Sequence, residues 1–175
     1  MIKFIIALLA ISPAKYIQYA QDHFPKVAAS YILSDKASPH VTLAQFYGTP
    51  ADYEIICKKL AQENSIPQPR FIGISFTKDK NEKGIWWADY AVARDDALMA
   101  LQNRIDSLLS ERHLKLINES RNLYRPHLTL ARVVSAQIDL DLNDNIPTST
   151  FTLVIGEADP MGQFVKLLKT FPETK

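Results

Sequence analysis

Apolar residues along the chain form short runs that predict β-strands. The first run, residues 4–11, is uninterrupted and predicts a fully buried strand. A short signal peptide is the alternative, because Lys3 precedes the run, and we favour the strand. Six later segments have strand patterns: residues 27–33, 40–47, 71–77, 85–93, 127–134 and 150–156. Residues 164–171 are apolar enough to dock on the fold as a strand or a short helix.

Three helices are predicted between these strands. Ser12 and Pro13 are typical of an N-cap and a first helical residue, and this helix extends to about residue 24. Thr49 and Pro50 begin a second helix, which extends to about residue 64. The third helix begins at Asp95. Its apolar residues recur at helical spacing: Leu98, Leu101, Ile105, Leu108 and Leu109.

The two halves of the chain repeat one another. Pro67 and Pro69 mark the join, so the pseudo-repeats cover roughly residues 1–69 and 70–175 of one domain. Each half offers strands, a helix and a strand that opens with His-x-Thr-Leu-Ala. Strands mixed with helices, and short hairpin connections, indicate an α+β fold of antiparallel sheets with helices on one face.

Composition indicates a folded globular protein but does not indicate which partner it binds. Hydrophobic residues make up 47% and charged residues 22% of the 175, which argues against disorder. A net charge of +1 neither demands nor excludes a nucleic-acid partner. The single cysteine, Cys57, excludes an intrachain disulfide and is expected to fill the core. No apolar run is long enough to span a membrane, and with the first strand retained we expect a cytoplasmic monomer.

One six-residue motif occurs twice. Residues 40–45, HVTLAQ, return 87 residues later as 127–132, HLTLAR, with four of six positions identical. Because side chains alternate along a strand, the expected cleft-facing residues are His40, Thr42, Ala44 and Phe46, and His127, Thr129, Ala131 and Val133. Each strand therefore presents an imidazole beside a hydroxyl. A single His-x-Thr is more often structural, but its repetition favours a functional pair, whereas His23 and His113 lack this context.

Two opposed imidazoles suit the chemistry of phosphodiesters. Unperturbed histidine titrates near pH 6.5, so one neutral ring can accept a proton while one charged ring donates another. The hydroxyls of Thr42 and Thr129 can donate hydrogen bonds to non-bridging phosphate oxygens. This scheme needs no metal and no cofactor. A metal site is the alternative use of the histidines, but no Asp or Glu follows either of them within four residues.

Other residues near the second motif are candidates for substrate contacts. Tyr124 can stack on a base and Arg125 can pair with a phosphate, each with a structural role as an equal alternative. Phe46 shares the His40 face and is expected to wall the cleft. Strand alternation points Arg132 away from the site, which favours a structural role unless a bulge turns it.

The hairpin between residues 77 and 85 offers weaker candidates. Trp86 and Trp87 are adjacent, so one faces each side of the sheet, and packing is the favoured role over base stacking. The lysines of the hairpin are more often solvated than bound to RNA: Lys78, Lys80 and Lys83.

HVTLAQFYG and YRPHLTLARV resemble the motifs of the two-histidine (2H) phosphoesterase superfamily, and most of all its LigT-like RNA 2',3'-cyclic phosphodiesterases, also called 2'-5' RNA ligases. Tyr124, Pro126 and the N-terminal apolar strand also look typical of that family. The resemblance implies a bilobal, pseudo-twofold pair of antiparallel sheets with outer helices and a site in the cleft between the lobes. It implies that His40 and His127 are the acid/base pair and that Thr42 and Thr129 bind phosphate.

We therefore expect a metal-independent phosphodiesterase that hydrolyses 2',3'-cyclic phosphates of RNA ends or nucleotides. Joining of RNA ends by the reverse reaction uses the same groups. A catalytically silent nucleotide- or RNA-binding module of the same fold is the alternative from another class. The near-symmetry of the motifs leaves open which histidine is the acid.

Overall fold

The computed structural model describes residues 1–134 and 146–172. It has three helices and eight strands in this part, in the order β1 (Ile2–Ala10), α1 (Ala14–His23), β2 (Ala28–Ile32), β3 (His40–Gly48), α2 (Pro50–Leu60), β4 (Phe71–Lys78), β5 (Trp86–Val92), α3 (Asp96–Glu111), β6 (His127–Val133), β7 (Phe151–Ala158) and β8 (Phe164–Phe171). A short 3-10 helix, Arg121–Leu123, precedes β6. The tail segment is thus a strand, and every predicted element is present.

The strands form two four-stranded antiparallel sheets. The first sheet has the order β3-β1-β7-β8 and the second β2-β6-β5-β4. One hydrophobic core runs behind both sheets and includes buried residues of all three helices, such as Tyr16, Ile56 and Leu101. The predicted α+β fold, with duplicated antiparallel sheets and outer helices, is confirmed.

The two sheets exchange segments. β2 follows α1 in the chain but pairs with β6 of the second sheet. After α3, Leu116 forms a bridge with Phe46 of β3, and the Ile117 amide donates to the Gln45 carbonyl at 2.8 Å. Each strand that carries a histidine motif is therefore flanked by a segment from the other half of the chain.

The N-terminal apolar run is a central strand. β1 pairs with β3 on one side and with β7 on the other. Phe4 and Ile6 face the main core, whereas Ile5 and Ala7 pack with a smaller cluster on the opposite face. Burial on both faces explains why this strand shows no polar alternation.

The helices begin at the capping residues that the sequence predicts, with one exception. The Thr49 hydroxyl accepts from the Asp52 amide and the Asp52 side chain accepts from the Thr49 amide, which completes a capping box. Asp95 caps α3 in a similar way. The predicted N-cap at Ser12 is wrong: Pro13 is the N-cap, and the Ser12 amide is held by the Ser149 hydroxyl at 3.0 Å.

The second helix is also shorter than predicted. α2 ends at Leu60, and turn hydrogen bonds from Gln62 and Glu63 follow it instead of further helix. In the described part of the chain, no helix is long and apolar enough to cross a membrane.

Candidate active site

Both histidine motifs open onto one cleft between the two sheets. The cleft has a volume of about 680 Å³, and all four motif side chains line it: His40, Thr42, His127 and Thr129. β3 contributes the first pair and β6 the second. The two motifs therefore meet in one cleft, as the sequence predicts.

The two imidazoles are anchored in the same way. His40 Nδ1 lies 2.7 Å from the carbonyl oxygen of Ser38, and His127 Nδ1 lies 2.7 Å from that of Arg125. A carbonyl oxygen only accepts hydrogen bonds, so Nδ1 carries the proton in each ring. Nε2 of a neutral ring is then a free base, and Nε2 of a charged ring is a proton donor.

A proline precedes each histidine and extends the repeat by one residue. The Pro39 carbonyl accepts from the Ala10 amide at 3.0 Å, and the Pro126 carbonyl accepts from the Val92 amide at 3.1 Å. Each bond ties the start of a motif strand to the end of the neighbouring strand. Pro39 was missed as part of the motif, although comparing the sequences SPH and RPH reveals it.

A β-bulge interrupts each motif strand after the threonine. Thr42 pairs with Ala7 and Ala44 with Ile6, so Leu43 is the extra residue in β3. The bulge reverses the alternation. The prediction for Phe46 is therefore wrong: it is fully buried in the core, with its ring 5.5 Å from that of Phe4.

The equivalent bulge in β6 turns Arg132 into the cleft. Thr129 pairs with Asp89 and Ala131 with Ala88, so Leu130 is the extra residue. The prediction that Arg132 points away is wrong for this reason, and it lines the cleft as Gln45 does from the other sheet.

Arg132 is held in place by its neighbours. It bonds to Asp79 at 2.9 Å, to Glu82 at 2.7 Å and to the Ser30 hydroxyl at 2.8 Å. Its guanidinium also lies over the Trp87 ring, 5.7 Å from the centroid. Trp87 faces the cleft and Trp86 packs against the core, so the two tryptophans divide as predicted.

Tyr124 connects the two lobes. It is only 3% exposed, and its hydroxyl donates to the carbonyl oxygen of Thr42 at 2.8 Å. Burial raises its pKa. A ring so enclosed offers no face for a base. Of the two roles that the sequence leaves equally open for Tyr124, the contacts therefore support the structural one, in which it braces β3 against the segment before β6.

Arg125 keeps part of its guanidinium in the cleft. Its side chain is 41% exposed, and it donates to Asp89 at 3.0 Å and to the Ser75 hydroxyl at 3.2 Å. Asp89 is fully buried on β5, paired with Thr129. The carboxylate thus holds the guanidinium beside the second motif, where the sequence predicts a phosphate contact.

The two histidines differ in exposure. His40 is 7% exposed, and burial, assisted by repulsion from His127, lowers its pKa to about 4. The Ser38 carbonyl and the Asp159 carboxylate oppose this shift without cancelling it. His127 is only partly buried. His40 is therefore neutral at neutral pH.

The rim of the cleft comes from three loops. Lys80 of the β4–β5 hairpin pairs with Glu119 at 2.8 Å. The side-chain amide of Gln45 donates to the Gly162 carbonyl at 2.8 Å. A Cβ atom placed on Gly162 would lie only 2.7 Å from the side-chain nitrogen Nε2 of Gln45. This close approach, with a φ of +89° at Gly162, requires glycine in the β7–β8 loop. Sequence reasoning missed this loop because no repeated motif marks it.

Metal ligands do not cluster in the part of the chain that the structure describes. Across residues 1–134 and 146–172, no three His, Cys, Asp or Glu side chains come close enough together to hold a metal ion. The only cysteine, Cys57, is buried as predicted.

Comparison with known proteins identifies the fold. No family model matches the sequence, and no curated protein matches it. Among solved structures, a phosphoesterase superposes with a TM-score of 0.56 at 20% identity, covering 99% of both chains. LigT of E. coli complexed with 3'-AMP gives 0.55 at 18% identity, covering 99% of this chain and 98% of that one. LigT complexed with NADP+ gives 0.55 at 17% identity, covering 97% and 96%. The chain therefore has the LigT-like phosphoesterase fold.

Proposed function

We propose that this protein is a phosphodiesterase that opens 2',3'-cyclic phosphates by two-histidine acid/base catalysis without a metal. The matched anchoring of His40 and His127 supports this most strongly, because it leaves Nε2 of each ring as the reactive nitrogen. A catalyst that must accept one proton and donate another requires two such nitrogens. The LigT-like fold supports a phosphoesterase of this general kind.

The difference in burial supports a division of the two proton-transfer roles in this proposal. His40 is neutral above about pH 4, so its Nε2 accepts the proton of the attacking water. The proton for the leaving ribose oxygen then comes from Nε2 of His127, which is the more exposed ring. The P–O bond to water forms, the P–O bond to one ribose oxygen breaks, and a phosphomonoester results.

Three further side chains serve the phosphate in this proposal. The hydroxyls of Thr42 and Thr129 donate to its non-bridging oxygens, and Arg125 adds a positive charge beside the second motif. Arg125 is kept in place by Asp89 and Ser75.

The same groups, run in reverse, would join RNA ends. A catalytically silent nucleotide-binding module remains the second candidate, since the structures of E. coli LigT include complexes with 3'-AMP and NADP+. Both histidines and both threonines are present in the cleft, which favours turnover over mere binding.

The test is turnover of a 2',3'-cyclic mononucleotide in EDTA between pH 3.5 and 9. We expect a bell-shaped dependence of kcat/KM on pH with its acidic limb near pH 4, where protonation of His40 removes the base. An acidic limb near pH 6.5 would contradict His40 as the base. Activity that disappears in EDTA and returns with a divalent cation would contradict the metal-independent scheme. Binding without turnover at any pH would favour the binding module.

A further inference from the structure

Most cations in the cleft are already bound to carboxylates. Four basic side chains line it: Lys78, Lys80, Arg125 and Arg132. Lys80 pairs with Glu119, Arg125 with the buried Asp89, and Arg132 with both Asp79 and Glu82. Lys78 lies over the Trp86 ring at 5.4 Å. Three of the four cations are therefore paired with carboxylates, two of which, Asp79 and Glu119, line the cleft themselves, and among the described residues only Lys78 has an aromatic ring in place of an acidic partner.

Carboxylates also approach the two imidazoles. The charge of Asp159 acts on His40, and the pKa of Glu119 is lowered mainly by its hydrogen bond and ion pair with Lys80, with smaller contributions from the charges of Arg125 and His127. Glu119 is itself paired with Lys80, so a polyanion that crosses the rim there would meet a neutralised pair and no free positive charge. The paired charges argue against a groove that binds an RNA backbone along its length, since such a groove needs lysines and arginines that have no acidic partner.

The rest of the chain does not change this balance. Residues 135–145, which lead from β6 towards β7, contain three aspartates and no lysine or arginine. The whole protein has 20 basic and 19 acidic residues. The overall charge of +1 therefore supplies no strong field that would draw in a long nucleic acid, and three of the four cations in the cleft are already paired.

We infer that the cleft takes a small nucleotide with a single phosphodiester, such as a cyclic mononucleotide, rather than an RNA chain held along its backbone. This inference rests on the phosphodiesterase function proposed above and names its substrate class. The cleft volume of about 680 Å³ lies within the range of small-molecule sites. Thr42, Thr129 and Arg125 can contact one phosphate. Of the other cations in the lining, Lys80 and Arg132 are bound to carboxylates, so additional phosphates would meet only Lys78 without an acidic partner.

The test compares a 2',3'-cyclic mononucleotide with a ten-nucleotide RNA that ends in the same cyclic phosphate. Turnover is measured with the wild type at 50 and 200 mM salt. Binding of the corresponding open 3'-phosphate forms is measured in parallel with His40→Ala, so that affinity is known whether or not hydrolysis occurs. A site for one phosphate predicts a loss of about threefold or less over this salt range, whereas four phosphate contacts predict roughly fiftyfold.

A charge variant sharpens the comparison. Glu119→Gln releases Lys80 from its partner, and we expect the ratio of RNA affinity to mononucleotide affinity to rise several-fold at 50 mM salt. The matched control is Glu54→Gln, an exposed residue of α2 that changes the net charge equally but lies outside the cleft lining.

The outcomes separate the two proposals. Equal kcat/KM and equal affinity for the two substrates, with shallow salt dependence, is the expected result. RNA preferred by more than about tenfold with steep salt dependence overturns the small-nucleotide inference and leaves the hydrolytic function standing. Tight, salt-insensitive mononucleotide binding without turnover overturns the proposed hydrolysis and supports the inference. Failure of both ligands to bind overturns the inference as well.

Discussion

The same His-x-Thr motif lies in different surroundings in the two sheets. In the first, the strand neighbour of Thr42 is Ala7, and the cleft face continues into an apolar cluster that contains Val154 and Phe164. In the second, the strand neighbour of Thr129 is Asp89, which is bonded to a guanidinium. Anchoring of the histidine rings is the same in both, but the electrostatic environment is not.

In the proposed chemistry, this difference gives the two copies of the motif different roles. Repetition supplies the two ring orientations, each fixed by the carbonyl two residues earlier. The unlike surroundings then set His40 apart, because its deep burial keeps it neutral at neutral pH. An acid and a base have to differ in protonation state, so the asymmetry is as necessary to the proposed chemistry as the symmetry.

Removing either imidazole is expected to have the largest effect. His40→Ala and His127→Ala should each lower kcat by about 10²–10⁴-fold, because each removes one proton-transfer group. The double variant should lose little more than the worse single one, since the pair acts as a unit. Steady-state kinetics with a cyclic mononucleotide measures this. His113→Asn, at an exposed residue outside the cleft lining, is the control and should stay within about twofold of the wild type.

Unequal losses of activity in the two alanine variants would test whether both lobes take part in catalysis. If one of the two alanine variants kept nearly full activity while the other lost it, catalysis would need only one of the two rings. The proposed division of labour between the sheets would then be wrong.

The burial of His40 predicts a pH dependence of stability. Its folded pKa of about 4 lies below the unfolded value of 6.5, so the unfolded state binds the proton first as pH falls. Stability is therefore unaffected above pH 6.5 and declines below it, by about 2 kcal/mol at pH 5 and about 3 kcal/mol near pH 4. Denaturant unfolding of wild type and His40→Gln should show that the variant loses less stability over this range.

The control for this measurement is loss of an exposed histidine. His113→Gln should keep the pH dependence of the wild type, because its imidazole is exposed in the folded protein. Identical pH dependence in His40→Gln and the wild type would show that His40 titrates normally, and the contrast between the lobes would lose its electrostatic basis.

Breaking the ion pair beneath the second motif is expected to have an intermediate effect. Asp89→Asn keeps the shape of the side chain but removes the charge that holds Arg125, and it should cost about 1–3 kcal/mol of unfolding free energy. Loosening of Arg125 should also raise KM several-fold. Ser75→Ala removes only the neutral partner of Arg125 and is the matched comparison. No change in KM in Asp89→Asn would argue against Arg125 as a phosphate ligand.

The smallest effect is expected at the brace between the lobes. Tyr124→Phe removes the hydroxyl that donates to the Thr42 carbonyl and should cost about 1 kcal/mol of unfolding free energy. A modest fall in kcat should accompany this loss, because β3 is then held less firmly. Thermal unfolding with activity assays measures both. Tyr47→Phe, on an exposed ring of the same sheet, should change neither.

Local patterns in the sequence predicted the elements and the motif well. Apolar periodicity predicted α3, and the unbroken apolar run predicted the central strand β1. The repeated His-x-Thr motif predicted the two histidine–threonine pairs in the cleft. These features depend on neighbours along the chain. Ser12 is the exception, because the group that bonds to its amide, Ser149, lies far away in sequence.

The remainder of the site depends on partners in other strands. A bulge at Leu43 or Leu130 is set by the register with β1 or β5, and strict alternation therefore misplaced Phe46 and Arg132. Likewise, the burial of Tyr124 follows from its contact with Thr42, 82 residues away. Such long-range contacts leave no local periodicity to read.

The exchange of edge segments has a consequence for how such a molecule can come apart. β2 completes the sheet that contains the second motif, and the segment around Leu116 borders the strand that contains the first. A half-length chain would keep one neighbour for its motif strand, β1 for β3 or β5 for β6, but the other edge of that strand would be uncovered unless a second copy covered it. Since each half alone would expose an unpaired edge of its motif strand, limited proteolysis of the present protein should release no independently folded half.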